Sequence, residues 1–453
     1  MPSAYFRQRE QALLGERYDR VYTYSKNIQK GITINPLRVP PGQAAALLAA
    51  AGIDGVPSPF CPGAFVLKDP AWKPGRHPYH HAGVFYAQEP SAAAPAALLD
   101  VQPGQKVLDL CAAPGGKASQ LAGALAGQGI LVANEYAPGR ARILKSNLER
   151  MGVANALVLN ETPAHVAAAF PAYFDRVLVD APCSGEGMFR KEPEAERQHS
   201  EALVRQCAAL GREILEDAAA CLAPGGLMVY STCTFAPQED EGQVGAFLAR
   251  HPEFEPVDLQ CLPFGSPGEP ERSPDAPFDA ARTRRIYPCH GGEGHFMALL
   301  RKKAEAGGGA APKPAAHAVP PAPCAEFLCR YFPVLAGTQA ILAGDTVYLL
   351  PHGLPAWGRL RLMRAGVEAG KLIKGRFEPA HGLFMAFGTA CRNAERLALD
   401  DPRTAAWLRG EEISAATAGN GYCAVLVDGF PLGGGKVSGG RVKNRYPRGL
   451  RSH

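Results

Sequence analysis

Two short apolar runs each end in a cysteine. Residues 178–185 read Leu-Val-Asp-Ala-Pro-Cys-Ser-Gly, and residues 228–235 read Met-Val-Tyr-Ser-Thr-Cys-Thr-Phe. Upstream, residues 107–117 read Val-Leu-Asp-Leu-Cys-Ala-Ala-Pro-Gly-Gly-Lys, a strand running into a glycine turn. In an open α/β sheet, ligands sit just beyond the carboxyl ends of the strands. Cys183 and Cys233 are therefore expected in one crevice beside a nucleotide-type pocket. Such a set suits a thiolate that attacks an electron-poor carbon while a bound cofactor supplies the transferred group.

The cofactor loop rests on three features. Asp109 ends the first strand, Gly115-Gly116 follow a proline, and Glu135 lies just past the second strand. Glycine lets the backbone turn tightly and approach a ligand. The helix that follows aims its free N–H groups at the pocket. A carboxylate at Glu135 is placed to accept hydrogen bonds from two ribose hydroxyls. The loop is neither the Gly-x-Gly-x-x-Gly of dehydrogenases nor a Walker loop. A glycine pair alone is more often a helix-starting turn; Asp109 and Glu135 at strand ends favour the cofactor.

Carbon methylation of cytosine needs these groups. Carbon 5 of the ring is too weak a nucleophile to take a methyl group unaided. A thiolate adding to carbon 6 makes carbon 5 enamine-like. A carboxyl group near ring nitrogen 3, here Asp180, would stabilise charge as the thiolate adds. A base must then take the proton from carbon 5 so that the thiolate can leave. Spacing alone leaves open which cysteine attacks.

These groups need a scaffold, and residues 89–302 supply alternating strands and helices. Strands are expected at Lys106–Leu110, Ile130–Asn134, Ala156–Leu159, Arg176–Val179, Leu227–Ser231 and His295–Leu300. Helices are expected at Lys117–Leu125, Pro138–Met151, from Ala164, His199–Leu222 and Gln238–Arg250. That alternation predicts an α/β fold, a parallel sheet with helices on both faces. Residues 1–88 open with a helix (Tyr5–Leu14) and continue in mixed segments whose fold is not legible. Residues 303–323 are mostly Ala, Gly and Pro and read as a linker. Residues 324–453 look β-rich, with strands at Ala340–Leu350, Arg359–Arg364 and Tyr422–Val427 and a helix at Ala394–Leu408.

The bulk numbers fit such a chain. At 453 residues it is too long for one ordinary core. No apolar run is long enough to span a bilayer, and the N-terminus lacks a signal-peptide core, so a cytoplasmic protein is expected. The 12 cysteines contain no Cys-x-x-Cys pair, which argues against zinc, or any other metal, and against a disulfide framework. The net charge is only +5. From Lys436 onward, however, Lys436, Arg441, Lys443, Arg445, Arg448 and Arg451 meet no acidic residue, which suits a phosphate backbone. A merely solvated tail is the alternative. Arg445 and Tyr446 are candidates for stacking on a base.

The run Asp-Leu-Cys-Ala-Ala-Pro-Gly-Gly-Lys (109–117), with Asp-Ala-Pro-Cys-Ser-Gly-Glu-Gly (180–187) and Ser-Thr-Cys-Thr (231–234), resembles the Nol/Nop/Sun family of RNA cytosine-5 methyltransferases. Residues 83–91 match its segment ahead of the sheet, and Pro237–Glu241 the segment after the second cysteine. The flanking blocks resemble the bacterial RsmF-type branch, which modifies cytosine in 16S ribosomal RNA. Residues 324–453 resemble that branch's PUA-like RNA-binding extension.

The resemblance implies a Rossmann-like class I methyltransferase sheet flanked by an N-terminal RNA-binding extension and a β-rich PUA-like C-terminal domain. It implies S-adenosylmethionine as the methyl donor, contacted by Cys111, Ala112, Ala113, Pro114, Gly115, Gly116, Lys117 and Glu135, with Asp180 at the edge of the pocket. It further implies Cys233 as nucleophile, Cys183 as the group that assists release, and Lys117 as the lysine that orients Asp180 or the ring. Where the family often has an aspartate near the adenine, this chain has Asn160, a candidate adenine contact. The implied partner is RNA, 16S ribosomal RNA or the small subunit, with no membrane. A non-catalytic ribosome-assembly factor on the same fold is the competing reading, and a small-molecule methyltransferase is a third.

Overall fold

The computed structural model describes residues 3–274, 278–305 and 312–451. Near the N-terminus, strands β1 (Gly31–Ile34), β2 (Gly55–Pro57), β3 (Ala64–Leu67) and β4 (Phe85–Gln88) form an antiparallel sheet in the order β2-β3-β1-β4. The helix ahead of it, Ala4–Leu14, starts where Ser3 Oγ accepts the amide of Phe6 at 3.2 Å. That helix packs Phe6 and Leu14 against Phe189, Phe235 and Tyr287 of the central domain.

The central sheet is built from β5 (Lys106–Asp109), β6 (Ile130–Asn134), β7 (Ala156–Leu159), β8 (Phe174–Asp180) and β9 (Leu222–Thr232), all parallel. Antiparallel strands extend it: β10 (Phe254–Pro256), β11 (Ser266–Pro267), β12 (Arg284–Ile286) and β13 (His295–Lys302). The spatial order is β11-β12-β13-β9-β8-β5-β6-β7, with β10 against β13. The chain runs outward from β5 to β7, then returns to place β8 on the other side of β5. The carboxyl ends of β5 and β8 thus flank a topological switch point, where a crevice opens. Val107, Leu108, Val132, Val158, Val177 and Leu178 are fully buried, as expected of strands covered on both faces. The expected strands and helices recur here with shifted ends, the largest shift being at β9, which begins at Leu222.

The C-terminal block departs from the sequence reading in three places. The expected strand Ala340–Leu350 is a hairpin of β14 (Ala340–Ala343) and β15 (Thr346–Leu349), turning at Gly344, whose φ of +60° favours glycine. The expected strand at 359–364 is β16 (Leu362–Ala365). It pairs antiparallel with β7 and so adds a tenth strand to the central sheet. β14 and β15 join β17 (Val367–Ile373) and β18 (Arg376–Pro379) in a four-stranded sheet. The expected helix Ala394–Leu408 begins as strand β19 (Ala394–Leu397) and becomes helical only at Pro402–Arg409, where Asp401 caps the first turn. Pairing of β19 with β21 overrides the helical pattern there. β19, β20 (Ile413–Ser414), β21 (Gly421–Val427), β22 (Phe430–Ser438) and β23 (Arg441–Asn444) form a five-stranded sheet.

The basic terminus is therefore folded rather than a free tail. Arg441 and Lys443 lie on β23, and Arg445 pairs with Glu378 at 2.7 Å. Tyr446 is only 2% exposed and lies 2.8 Å from His81 Nδ1, so it is not available to stack on a base. The flanks of the expected linker are docked: Ala318 bridges Ala340, and the Ala315 amide donates to Leu354. Its middle, 306–311, lies outside the described residues. Among the described residues no helix is long and apolar enough to cross a membrane.

Candidate active site

The crevice at the switch point has two connected lobes, of about 410 and 770 Å³, that share Cys111, Ala113, Arg140, Asp180, Met188 and Cys233. The smaller is lined by Tyr86, Gln88, Lys117, Asp180, Cys233 and His295. The larger runs past Glu135, Tyr136, Thr162, Pro182 and Cys183.

The glycine turn after β5 forms one wall. Ala112, Pro114 and Gly116 face the smaller lobe. Gly115 stands behind them with φ +113°, starting the helix Gly116–Ala124. A Cβ on Gly116 would sit 2.5 Å from Gln88 Oε1, so this position admits no side chain without displacing Gln88 from the lobe. Asp109 lies on the same wall. Its two carboxylate oxygens are buried without a side-chain partner, and burial, with Asp180 nearby, pushes its pKa up to about 8. Burial also pushes the Cys111 thiol well above its usual range. Glu135 accepts the amide of Ala137 at 2.9 Å and has Arg140 Nη1 at 3.5 Å, with its carboxylate at the larger lobe.

Lys117 Nζ donates to Asp180 Oδ2 at 2.7 Å, and Ser231 Oγ donates to Asp180 Oδ1 at 2.8 Å. Burial alone would raise the Asp180 pKa. The Lys117 ammonium more than offsets this and holds it below the ordinary value. Lys117 is correspondingly raised, because Asp180 outweighs its own burial. The pair stands as carboxylate and ammonium.

The two cysteines meet. Cys183 Sγ and Cys233 Sγ are 3.4 Å apart, although the residues come from loops after β8 and β9. The loops are tied together: Gly187 N donates to Cys233 O at 2.9 Å. Ser184 donates to Glu239 through both its amide (2.8 Å) and its hydroxyl (2.6 Å), and its hydroxyl also lies 2.8 Å from Thr234 Oγ1. Burial raises the Glu239 carboxyl to about 7. The hydrogen bond to Cys233 and then burial hold the Cys183 thiol well above its usual range, so Cys183 is a neutral S–H beside Cys233.

Asn160 is buried beside the turn after β6. Its amide donates to the carbonyls of Glu135 (2.7 Å) and Tyr136 (2.8 Å), bracing the turn behind Glu135, and its side chain lines neither lobe. Those two bonds fix the side chain by its Nδ2 and leave only Oδ1 to meet an adenine. Sequence reasoning missed His295, Arg140 and Glu293 in the walls. His295 begins β13, and Phe296 pairs with Thr232. Because β13 is antiparallel, its start lies beside the end of β9. A pattern read as parallel strands hides that side chain. Among the described residues no group of three or more candidate metal ligands occurs.

Four family models match the chain in succession: the N-terminal domain of 16S rRNA methyltransferase RsmF (1–90), 16S rRNA methyltransferase RsmB/F (96–301), the RsmF rRNA methyltransferase first C-terminal domain (326–387) and the methyltransferase RsmF PUA domain (394–452). The chain is similar to ribosomal RNA small subunit methyltransferase F of Klebsiella pneumoniae, at 31% identity over 95% of this chain and 92% of that protein. The homologous protein of Cronobacter sakazakii gives 31% identity over the same shares. Among solved structures, a methyltransferase homolog protein from Pyrococcus horikoshii superposes with a TM-score of 0.59 at 29% identity, covering 66% of this chain and 95% of that one. NSun6 from Pyrococcus horikoshii, solved with SFG, shares the fold, with a TM-score of 0.56 at 20% identity over 66% of this chain and 98% of that one.

Proposed function

The chain belongs to the ribosomal RNA small subunit methyltransferase F family, and on that premise we propose that it transfers a methyl group from S-adenosylmethionine to carbon 5 of a cytosine in 16S ribosomal RNA, with Cys233 bonded transiently to carbon 6. The observation that carries this reading is the pair of thiols 3.4 Å apart in the crevice that also holds the Lys117–Asp180 pair.

The donor's chemistry fits the walls. S-adenosylmethionine, when bound, supplies an electrophilic methyl group on a sulfonium. Its cationic amino-acid end suits the Asp109 carboxyl group, which has no side-chain partner, and its ribose hydroxyls suit Glu135. Cys111, Ala112, Ala113, Pro114 and Gly116 form the close wall between those two carboxylates, with Gly115 setting the turn.

The target base fits the smaller lobe. The Cys233 thiolate adds to carbon 6, forming a C–S bond and moving an electron pair onto carbon 5. Lys117 donates to the ring edge where negative charge gathers, and Asp180, fixed by Ser231, holds the ammonium in place. After carbon 5 has taken the methyl group, its proton must leave and the C–S bond must break. Cys183 is the neighbour for that step. Its thiol is held protonated chiefly by its hydrogen bond to Cys233. Once the Cys233 sulfur is tied to carbon that cause is gone and only burial still opposes ionisation; Cys183 gives its own proton to water, its thiolate takes the proton from carbon 5, and the C–S electron pair returns to Cys233 as the bond breaks.

A target in a paired region must leave its stack, at a cost of a few kcal/mol. The N-terminal extension and the C-terminal sheets would offset that cost by contacts to the RNA backbone. The test is bisulfite sequencing of 16S ribosomal RNA treated with the enzyme and with Cys233→Ala. One or more protected cytosines with the first, and none with the second, is the expected result. No protection with either overturns the proposal.

A further inference from the structure

The wall of the smaller lobe carries a polar chain that this reaction leaves unused. It begins at Glu89, just after β4. Oε1 of Glu89 accepts the amide of Glu293 at 3.3 Å, while Oε2 accepts the amide of Ala92 at 2.9 Å and the hydroxyl of Ser91. A hydroxyl has one hydrogen to give. With it spent on Glu89, Ser91 Oγ can only accept, and the group 3.1 Å away is Nδ1 of His295. Nδ1 therefore carries the imidazole hydrogen. Burial first, and the Lys117 ammonium second, push the His295 pKa down to about 4, so the ring is neutral at physiological pH. In a neutral imidazole the other nitrogen is an acceptor. Nε2 has no hydrogen-bond partner among the described residues and is not sealed off from the lobe. That lobe holds Lys117, Asp180 and Cys233.

We propose that Nε2 of His295 accepts a hydrogen bond from the exocyclic amino group of the target base and so selects cytosine over uracil. This rests on the function stated above, since it needs a pyrimidine beside Cys233. At carbon 4, cytosine presents N–H where uracil presents a carbonyl oxygen. An acceptor whose tautomer is fixed by Ser91 and Glu89 pairs with the first and opposes the second. The Lys117–Asp180 pair cannot make that choice alone, because it offers a donor beside an acceptor and so has a partner for either base. His295 is a specificity-determining residue in this arrangement, and Ser91 and Glu89 are positioning residues.

The test is a cycle of enzyme and base. A 16S transcript is assembled around an oligonucleotide carrying either cytosine or 2-pyrimidinone, which lacks the amino group, at the position the wild type methylates. The ratio of kcat/KM for the two RNAs is measured for the wild type, His295→Ala and His295→Gln. The intrinsic reactivity of the two rings differs, but it cancels between enzymes. We expect the ratio to fall about tenfold in His295→Ala, the size of one pairwise coupling, and to recover in part in His295→Gln, whose carbonyl oxygen can accept. S-adenosylmethionine affinity, read by calorimetry, should stay unchanged and shows that each variant is folded. An equal loss on both RNAs, or an unchanged ratio, overturns the proposal while leaving the reaction standing. A wild type that methylates neither RNA at carbon 5 overturns the reaction itself.

Discussion

The guanidinium of Arg9 grips the carboxylate of Glu186 with two hydrogen bonds, of 2.9 and 2.8 Å, joining the first helix to the loop that carries Cys183. The same carboxylate accepts from the amide of Phe235 at 3.0 Å, two residues past Cys233, and lies 2.8 Å from His199 Nε2. Beside it, Glu10 receives Arg272, which also holds the Phe235 carbonyl at 3.0 Å. The first helix therefore clamps both cysteine loops from behind.

Glu186 is fully buried, and burial alone would raise its pKa. His199 and Arg9 overcome this and bring it down to about 2. A carboxylate depressed in the folded state contributes stability above its unfolded pKa, near 4.5, and loses that contribution as pH falls toward 2. Glu186→Gln should flatten the acid limb of the stability curve across that window in urea titrations. Arg9→Ala leaves the carboxylate only His199 and the Phe235 amide and should lower stability at neutral pH, by less than the about 3–5 kcal/mol of a fully unpaired buried charge. Equal urea midpoints for Arg9→Ala and the wild type would remove the clamp from the account.

The facing thiols make opposite forecasts for two similar substitutions. Cys233→Ala should abolish methyl transfer and covalent capture together. Cys183→Ala should leave capture intact but stall release, so a retarded RNA–protein band should accumulate on a denaturing gel. A Cys183→Ala variant that turns over normally and shows no band would exclude Cys183 from the release step.

The strand ends were the legible part of this chain. Asp109, Asp180 and Cys233 could be placed because a buried parallel strand is an unbroken apolar run, and its end is marked by the first polar or glycine residue. Gly115 followed from the turn, and Lys117 from the family resemblance. The clamp was not legible, because Arg9 and Glu186 are 177 residues apart and an ion pair leaves no local pattern. His295 was hidden by strand direction, as only an antiparallel β13 brings its first residue to the crevice. Asn160 was assigned by position, while the direction of its side chain is set by the two carbonyls of the neighbouring turn. The helical pattern of 394–408 yielded to a sheet partner that lies further along the chain.

Asp109 gives a prediction about protons. With a pKa of about 8 in the free protein it is mostly protonated at pH 7. A cationic amino group bound against it would favour the carboxylate. Binding of S-adenosylmethionine at pH 7 should therefore release about one proton, measured by calorimetry in buffers of different ionisation enthalpy. Asp109→Asn should bind more weakly and without that release. If wild type and variant release the same number of protons, Asp109 does not face the donor's charge.

The pairing of β16 with β7 couples the C-terminal block to the larger lobe of the crevice. Arg364, fully buried on β16, donates through Nε to the Gly366 carbonyl at 2.6 Å and through Nη2 to the Val153 carbonyl, in the turn that leads into β7. Just ahead of β16 the chain holds the loop after β7: the Asn160 backbone amide donates to the Arg361 carbonyl at 3.0 Å, and the Arg361 backbone amide donates to Glu161 Oε1 at 2.8 Å. That loop leads to Thr162 and Pro163 in the wall of the larger lobe. Arg364→Ala would leave two buried carbonyls without a donor, at about 1–3 kcal/mol for each group. The urea midpoint should fall, and S-adenosylmethionine should bind more weakly even though Arg364 lines neither lobe. Arg361→Ala keeps the backbone contacts and removes only an exposed side chain 3.6 Å from Glu161, so it should change neither quantity by much. A loss of affinity in Arg361→Ala with none in Arg364→Ala would mean that side-chain charge, rather than the strand pairing, supports that wall.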